Sequence, residues 1–168
     1  MLPFFIVIVI CAPLLYYVAV YRDKKKRAVW ESKYPPYLPS SSLGMYSIRV
    51  ANIRYQCNRD DIGAVIVAVK SDPDNGYNAD SMSVIRDDGK LVGFVSRREA
   101  SRFNRWSRRD VCSGVGMILY DEPTHKLWGD IHVFRPDTDD ELMEAEMRRF
   151  LGWVERVYGA DYIPERYR

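Results

Sequence analysis

The sequence predicts a mainly β domain, a small six-stranded antiparallel barrel with one crossing helix, flanked by an N-terminal transmembrane helix and a C-terminal amphipathic helix. Three observations carry that expectation. Six short runs between Tyr46 and Phe134 either alternate apolar and polar residues or are rich in β-branched ones, with turn residues about every 8–12 positions. Only one helical segment, opening at Ser96, lies among them. Short turns between the runs favour antiparallel pairing, since parallel strands need long crossovers.

The front of the chain is of another kind. Leu2 to Tyr21, LPFFIVIVICAPLLYYVAVY, carries no charge; about 20 helical residues at about 1.5 Å each span a hydrocarbon core of about 30 Å. Tyr16, Tyr17 and Tyr21 suit the headgroup boundary, where a ring with a polar tip is at home. Pro3 is harmless in a first turn and Pro13 bends the helix. Arg22 to Arg27 then puts five cations in six positions. A cleaved secretory signal has its cations before the apolar run and a small-residue site after it; neither is present. The positive-inside rule therefore predicts a single-pass membrane protein with the body of the chain cytoplasmic. Its lipid partner is the bilayer around Leu2 to Tyr21.

Residues 22–44 form a basic and Pro/Ser-rich tether. Within it Tyr34-Pro35-Pro36-Tyr37-Leu38-Pro39-Ser40-Ser41-Ser42 holds neither helix nor ladder and favours a stiff, extended path. The barrel is expected over residues 45–136. Tyr46, Ile48, Val50 and Asn52 alternate with Ser47, Arg49 and Ala51, a period of two. Ile62 to Lys70 is mostly apolar and β-branched, a strand buried on both faces. Ser81–Arg86 and Lys90–Val95 flank Asp87-Asp88-Gly89, a hairpin signal. Ser96-Arg97-Arg98-Glu99 is a capping box opening a helix to about Ser107. Val111 to Asp121 and Lys126 to Phe134 alternate around a Glu-Pro-Thr-His turn.

After Pro136 a second helix over 137–158 starts with acids in its first turn, which complement the helix dipole. Leu142, Ala145, Phe150, Val154 and Val157 recur at helical spacing, widened by Met147, Leu151 and Tyr158. That stripe is expected to pack on the barrel, with a partner surface as the alternative. Residues 159–168 are a tail.

Composition excludes more than it identifies. A net charge of +2 does not by itself announce a nucleic-acid binder, although cations concentrate at Arg22–Arg27 and Arg97–Arg109. Three widely spaced cysteines form no CxxC, and His125 and His132 are isolated, so no metal or disulfide framework is expected. Asp87-Asp88 and Asp139-Asp140 belong to a turn and a helix cap. With no nucleophile triad and no Gly-rich phosphate loop, neither an enzyme nor a cofactor is expected.

One stretch is specific. Asp72 to Phe103 reads DPDNGYNADSMSVIRDDGKLVGFVSRREASRF: a dense turn, a strand, a Gly turn, a second strand and a capped basic helix. This order resembles the core of the HIRAN domain, roughly D-P-x-N-x-Y-D-x-N-A-I-x-V followed by a Gly turn, G-Y-I-P and a helix. The resemblance covers about Ser47 to Phe134. It implies an OB-like barrel that binds nucleic acid, in the best understood case a free single-stranded 3′ end. Carried over residue by residue, it places Arg54 near phosphate and Tyr55 against a terminal base. Tyr77 supplies a second stacking face, and Asn75 holds the loop or the terminal nucleotide. Phe94 offers a ring and Arg97 a phosphate contact. Asn78 departs from the family pattern: DNA-binding members have an Asp there that accepts a hydrogen bond from the 3′-hydroxyl, and an amide accepts that bond without charge assistance.

Two functions follow from different classes. One is a membrane-anchored module that binds nucleic acid, a single-stranded end in particular. The other is a membrane-tethered adaptor that recruits a protein partner through the barrel or the C-terminal helix. The helix Arg97–Arg109 carries six arginines, with Phe103 and Ala100 expected to face the core. Its basic face suits solvent, nucleic acid or anionic lipid.

Overall fold

The computed structural model describes Tyr21, Arg22, Lys25 and residues 35–72, 81–108, 110–122 and 124–168. The chain divides into two compact units, Met1–Tyr37 and Leu38–Arg168. The expected membrane helix over Leu2 to Tyr21 lies, except for Tyr21, outside the described residues. Among the described residues no helix is long and apolar enough to cross a membrane.

In the second unit, strands β1 (Tyr46–Ala51), β2 (Gly63–Ser71), β3 (Met82–Arg86), β4 (Leu91–Val95), β5 (Cys112–Asp121) and β6 (Lys126–Val133) close into a barrel in the order β1-β4-β3-β2-β5-β6. All pairings are antiparallel. The period of two sends Ile48 and Val50, Val65, Val67 and Val69, Met82 and Val84, and Ile131 and Val133 into one core. As expected, β2 is buried on both faces: Ala64 and Val65 are both inaccessible. Asn52 is not the last strand residue that alternation suggested. It takes the left-handed conformation, φ 62°, and turns the chain into α1 (Ile53–Gln56).

The β1–β4 seam is short, joining only Val50 to Val95 and Ala51 to Phe94. Gly93 lets the two strands meet, because a Cβ there would collide with the Ala51 carbonyl and stand 2.6 Å from Val50 Cγ1.

Each end of the barrel is plugged differently. Helix α2 (Arg97–Ser107) buries Ala100, Phe103, Asn104 and Ser107 and leaves its arginines outside. Phe103 meets Tyr46 of β1 edge-on at 5.3 Å, and Trp106 packs on both rings. The expected capping box is altered. Ser96 is the N-cap, but its hydroxyl donates to the Glu99 carboxylate (2.7 Å) instead of capping a backbone N–H.

At the other end α1 inserts Ile53 into the core beside Gly129. There Asp61, buried, accepts from Arg86 (2.9 Å) and Lys90 (2.6 Å). Burial pushes the Asp61 carboxyl up, but bonds from Lys90, the Asn58 N–H and Arg86 outweigh it and hold the acid below its ordinary range.

The outward side of β2, β5 and β6 forms a second buried layer. Ala64, Met117 and Asp130 share one cross-strand row, and Ile66, Val115 and His132 the next. Helix α3 (Asp140–Tyr158) packs against β2 and buries Phe150, Val154 and Glu146. The predicted stripe was therefore half right: Leu142, Ala145 and Val157 are exposed. The residue that replaces them inside is a carboxylate. Glu146 accepts from Arg149 (2.8 Å) and from the Ser40 N–H (3.0 Å), while Arg149 also donates to the Leu38 carbonyl. These bonds strap residues 38–40 to α3.

Candidate functional site

Arg54 and Tyr55 stand side by side on α1, whose geometry follows from the left-handed turn at Asn52. Ile53 is buried, so the next two side chains project outward. Tyr55 is 67% exposed. The Arg54 guanidinium lies 4.6 Å from the centre of its ring and donates to its hydroxyl. The quadrupole of the ring attracts the guanidinium, so the pair presents an aromatic face and a cation side by side at the surface.

Phe94 sits on the outer face of β4, half-buried. Its cross-strand neighbours are Ala51 of β1 on one side and Ser83 of β3 on the other; Ser83 in turn pairs with Lys70 of β2. Ala51, Phe94, Ser83 and Lys70 thus make one row across four strands, just ahead of the turn that carries Arg54 and Tyr55. Arg97 is exposed at the start of α2, three residues beyond Phe94.

Asn75, Tyr77 and Asn78 lie outside the described residues. Both stems of their loop are defined. The Asp72 N–H donates to the Ser81 carbonyl (2.8 Å), and the Ser83 hydroxyl donates to the Asp72 carboxylate (2.9 Å). Asp72, the first residue of the DPDNGYN turn, is thereby fixed to the residue next to Phe94. The described part of the candidate set, Arg54, Tyr55, Phe94 and Arg97, is spread over β1–α1 and β4–α2, with the loop stem one strand away.

Sequence alone passed over two cations that belong to the same outer surface. Arg49 and Lys70 are exposed and occupy outward strand positions. Their alternation was visible; their neighbours depend on register, which no local pattern encodes. A second guanidinium–tyrosine stack was also missed. Arg59 lies 4.5 Å over the Tyr120 ring and donates to its hydroxyl (3.0 Å), which also bonds His125 Nδ1 (3.0 Å). Arg59 lies in the turn before β2, whereas Tyr120 and His125 belong to the β5–β6 hairpin. Among the described residues no group of His, Cys, Asp or Glu could hold a metal ion.

No family model and no curated protein matches the chain. Solved structures similar to it include the HIRAN domain of human HLTF, 16% identical, with a TM-score of 0.36, covering 62% of this chain and 84% of that one. A protein from Lactobacillus plantarum is 15% identical, with a TM-score of 0.36, over 54% of this chain and 94% of that one.

Proposed function

We propose that the outer face around α1 and β4 binds single-stranded nucleic acid, preferring a free 3′ end, on a chain anchored in a membrane by Leu2 to Tyr21 with its body in the cytoplasm. The observation that carries the reading is the Arg54–Tyr55 pair: an exposed ring for a base and a cation for a phosphate, offered by adjacent residues. The likeness of Asp72–Phe103 to the HIRAN core supports it, as does the row that brings Phe94 beside the stem of the Asn75–Asn78 loop. Aromatic faces hold bases without regard to sequence, and cations track the backbone.

Fluorescence anisotropy of the full-length protein in detergent with a short labelled oligonucleotide tests this. Saturable binding is expected, weakening steeply between about 50 and 200 mM salt. Tyr55→Ala and Tyr77→Ala each lower affinity by about 1–3 kcal/mol, roughly 5- to 150-fold. Asn78→Asp strengthens binding to a 3′-hydroxyl end and not to a 3′-phosphorylated one, where the added charge repels. Absence of saturable binding at low salt rejects the reading. Membrane attachment is tested separately: carbonate extraction leaves the full-length protein in the pellet, and its release into the soluble fraction refutes the anchor.

The adaptor reading rests on Leu142 and Val157, both exposed on α3. They stand about 22 Å apart along the axis and make no continuous patch. The helix's most apolar positions, Phe150 and Val154, are buried. Salt-insensitive capture of a protein by the barrel surface would favour the adaptor instead.

A further inference from the structure

The arginines of α2 lead somewhere. Arg98, Arg102 and Arg105 recur at i, i+4 and i+7 on its exposed side, forming one stripe. At the C-terminal end of the helix lies a pocket of about 210 Å³ lined by Trp106, Arg108, Arg135, Pro136 and Asp137. Its indole is held in place: Trp106 packs 5.2 Å from Tyr46 and 5.4 Å from Phe103. Arg108 ends the helix in the left-handed conformation, its N–H bonded to the Asn104 carbonyl. Arg135 is bound in two-pronged fashion to Asp137, at 3.1 and 3.3 Å.

Two guanidiniums and one carboxylate leave a single net positive charge beside a fixed aromatic wall. That balance suits neither a cation nor a multiply charged anion. It suits one nucleotide unit: a base against the indole, one phosphodiester charge on the arginines, and the carboxylate as acceptor for an amino group on a base edge. We propose that this pocket is a second nucleotide subsite for the strand bound at Arg54 and Tyr55, with Trp106 stacking a base and Arg108 and Arg135 holding its phosphate. The proposal rests on the nucleic-acid reading above and extends it. Arg108 lies about 16 Å along the helix axis from Arg97, so only a strand long enough to follow the arginine stripe reaches both places.

Length dependence is the test. Binding of oligonucleotides of about 4 and about 12 nucleotides to the full-length protein in detergent is measured by anisotropy. Trp106→Ala and Arg108→Ala weaken the longer strand, the former roughly 5- to 150-fold, and leave the shorter one unchanged; Tyr55→Ala weakens both. Arg108 is exposed, so its variant keeps the test valid if loss of the half-buried indole disturbs folding. Unchanged affinity of the longer strand in Arg108→Ala, or equal loss for both lengths, overturns the subsite while leaving the Arg54–Tyr55 reading in place. If neither length binds the wild-type protein, the underlying reading fails and the subsite with it.

Discussion

Gly93 shows how one atom decides whether the barrel closes. A methyl group at this position would run into the Ala51 carbonyl and Val50 Cγ1, and both belong to β1, the strand with which β4 closes the barrel. Backbone cannot move aside as a flexible side chain can, so Gly93→Ala is expected to cost about 3 kcal/mol, at the upper end of overpacking. Chemical denaturation read by tryptophan fluorescence checks this; a loss below about 1 kcal/mol would mean that the seam yields. The glycine was visible in the sequence as the start of Gly93-Phe94-Val95. Its reason was not, because β1 and β4 are joined by no local turn. The same limit governs the candidate site. Tyr55 and Phe94 could be nominated from residue type and motif, but the row from Ala51 through Phe94 and Ser83 to Lys70 exists only once register is set. The ion cluster of Asp61 with Arg86 and Lys90 escaped for a related reason. Asp61 sits in the turn before β2, and Arg86 and Lys90 flank the β3–β4 hairpin turn, segments whose composition alone says only that they are polar.

Elements were far easier to read than the surfaces they bury. Five strands fall where period-two alternation puts them, because half-buried strands write their faces directly into the chain, and β2 falls where the apolar, β-branched run does, all with bounds shifted by about a residue. Helix α3 misled on its face. Counting apolar residues favoured Leu142, Ala145 and Val157, whereas the helix turns Glu146 inward with Phe150 and Val154. A buried carboxylate is tolerated here because Arg149 and the Ser40 N–H bond it, and such compensation from a distant segment leaves no periodic trace. The two ends of the stripe can be separated by experiment. Phe150→Ala opens a cavity in a fully buried site and is expected to cost about 3–5 kcal/mol. Leu142→Ala, at an exposed position, changes stability by less than about 0.5 kcal/mol. Comparable losses in both, measured by denaturant titration, would mean that α3 buries the other face.

At the scale of the molecule, the barrel is clasped from outside by segments that sequence set apart as tether and tail. Residues 38–40 bond α3. At the C-terminus, Tyr167 accepts from the Ile66 N–H (3.1 Å) and donates to Asp87 (2.6 Å), while Arg166 pairs with Asp87 and Asp88. Gly63 makes room for this segment, taking φ 136° where a Cβ would meet the Tyr162 carbonyl at 2.6 Å. The folded molecule also holds a histidine and two carboxyls away from their ordinary values, so it should respond to acid in two stages. His132, buried on the outer side of β6, is pushed below its ordinary value of 6.5 by burial, against the opposing pull of Asp130 and Glu146. The unfolded chain then binds its proton more readily than the folded one, so stability is complete above about pH 6.5 and declines as pH falls through the interval below it. Asp61 and Asp88 are held below the ordinary carboxylate value of 3.8, Asp61 by bonds that outweigh burial and Asp88 chiefly by its bond from Arg86. Their contribution is present above about pH 3.8 and is lost only as pH falls further. Melting temperature of the full-length protein in detergent, followed by circular dichroism from about pH 8 to pH 3, should therefore drop first below about 6.5 and again below about 4. His132→Gln is expected to start lower, having lost a packed ring, yet to show no decline in the first interval while keeping the second. Asp61→Asn should keep the first and weaken the second, since Asp88 still holds Arg86. A first decline that persists in His132→Gln would assign the acid sensitivity to a different group.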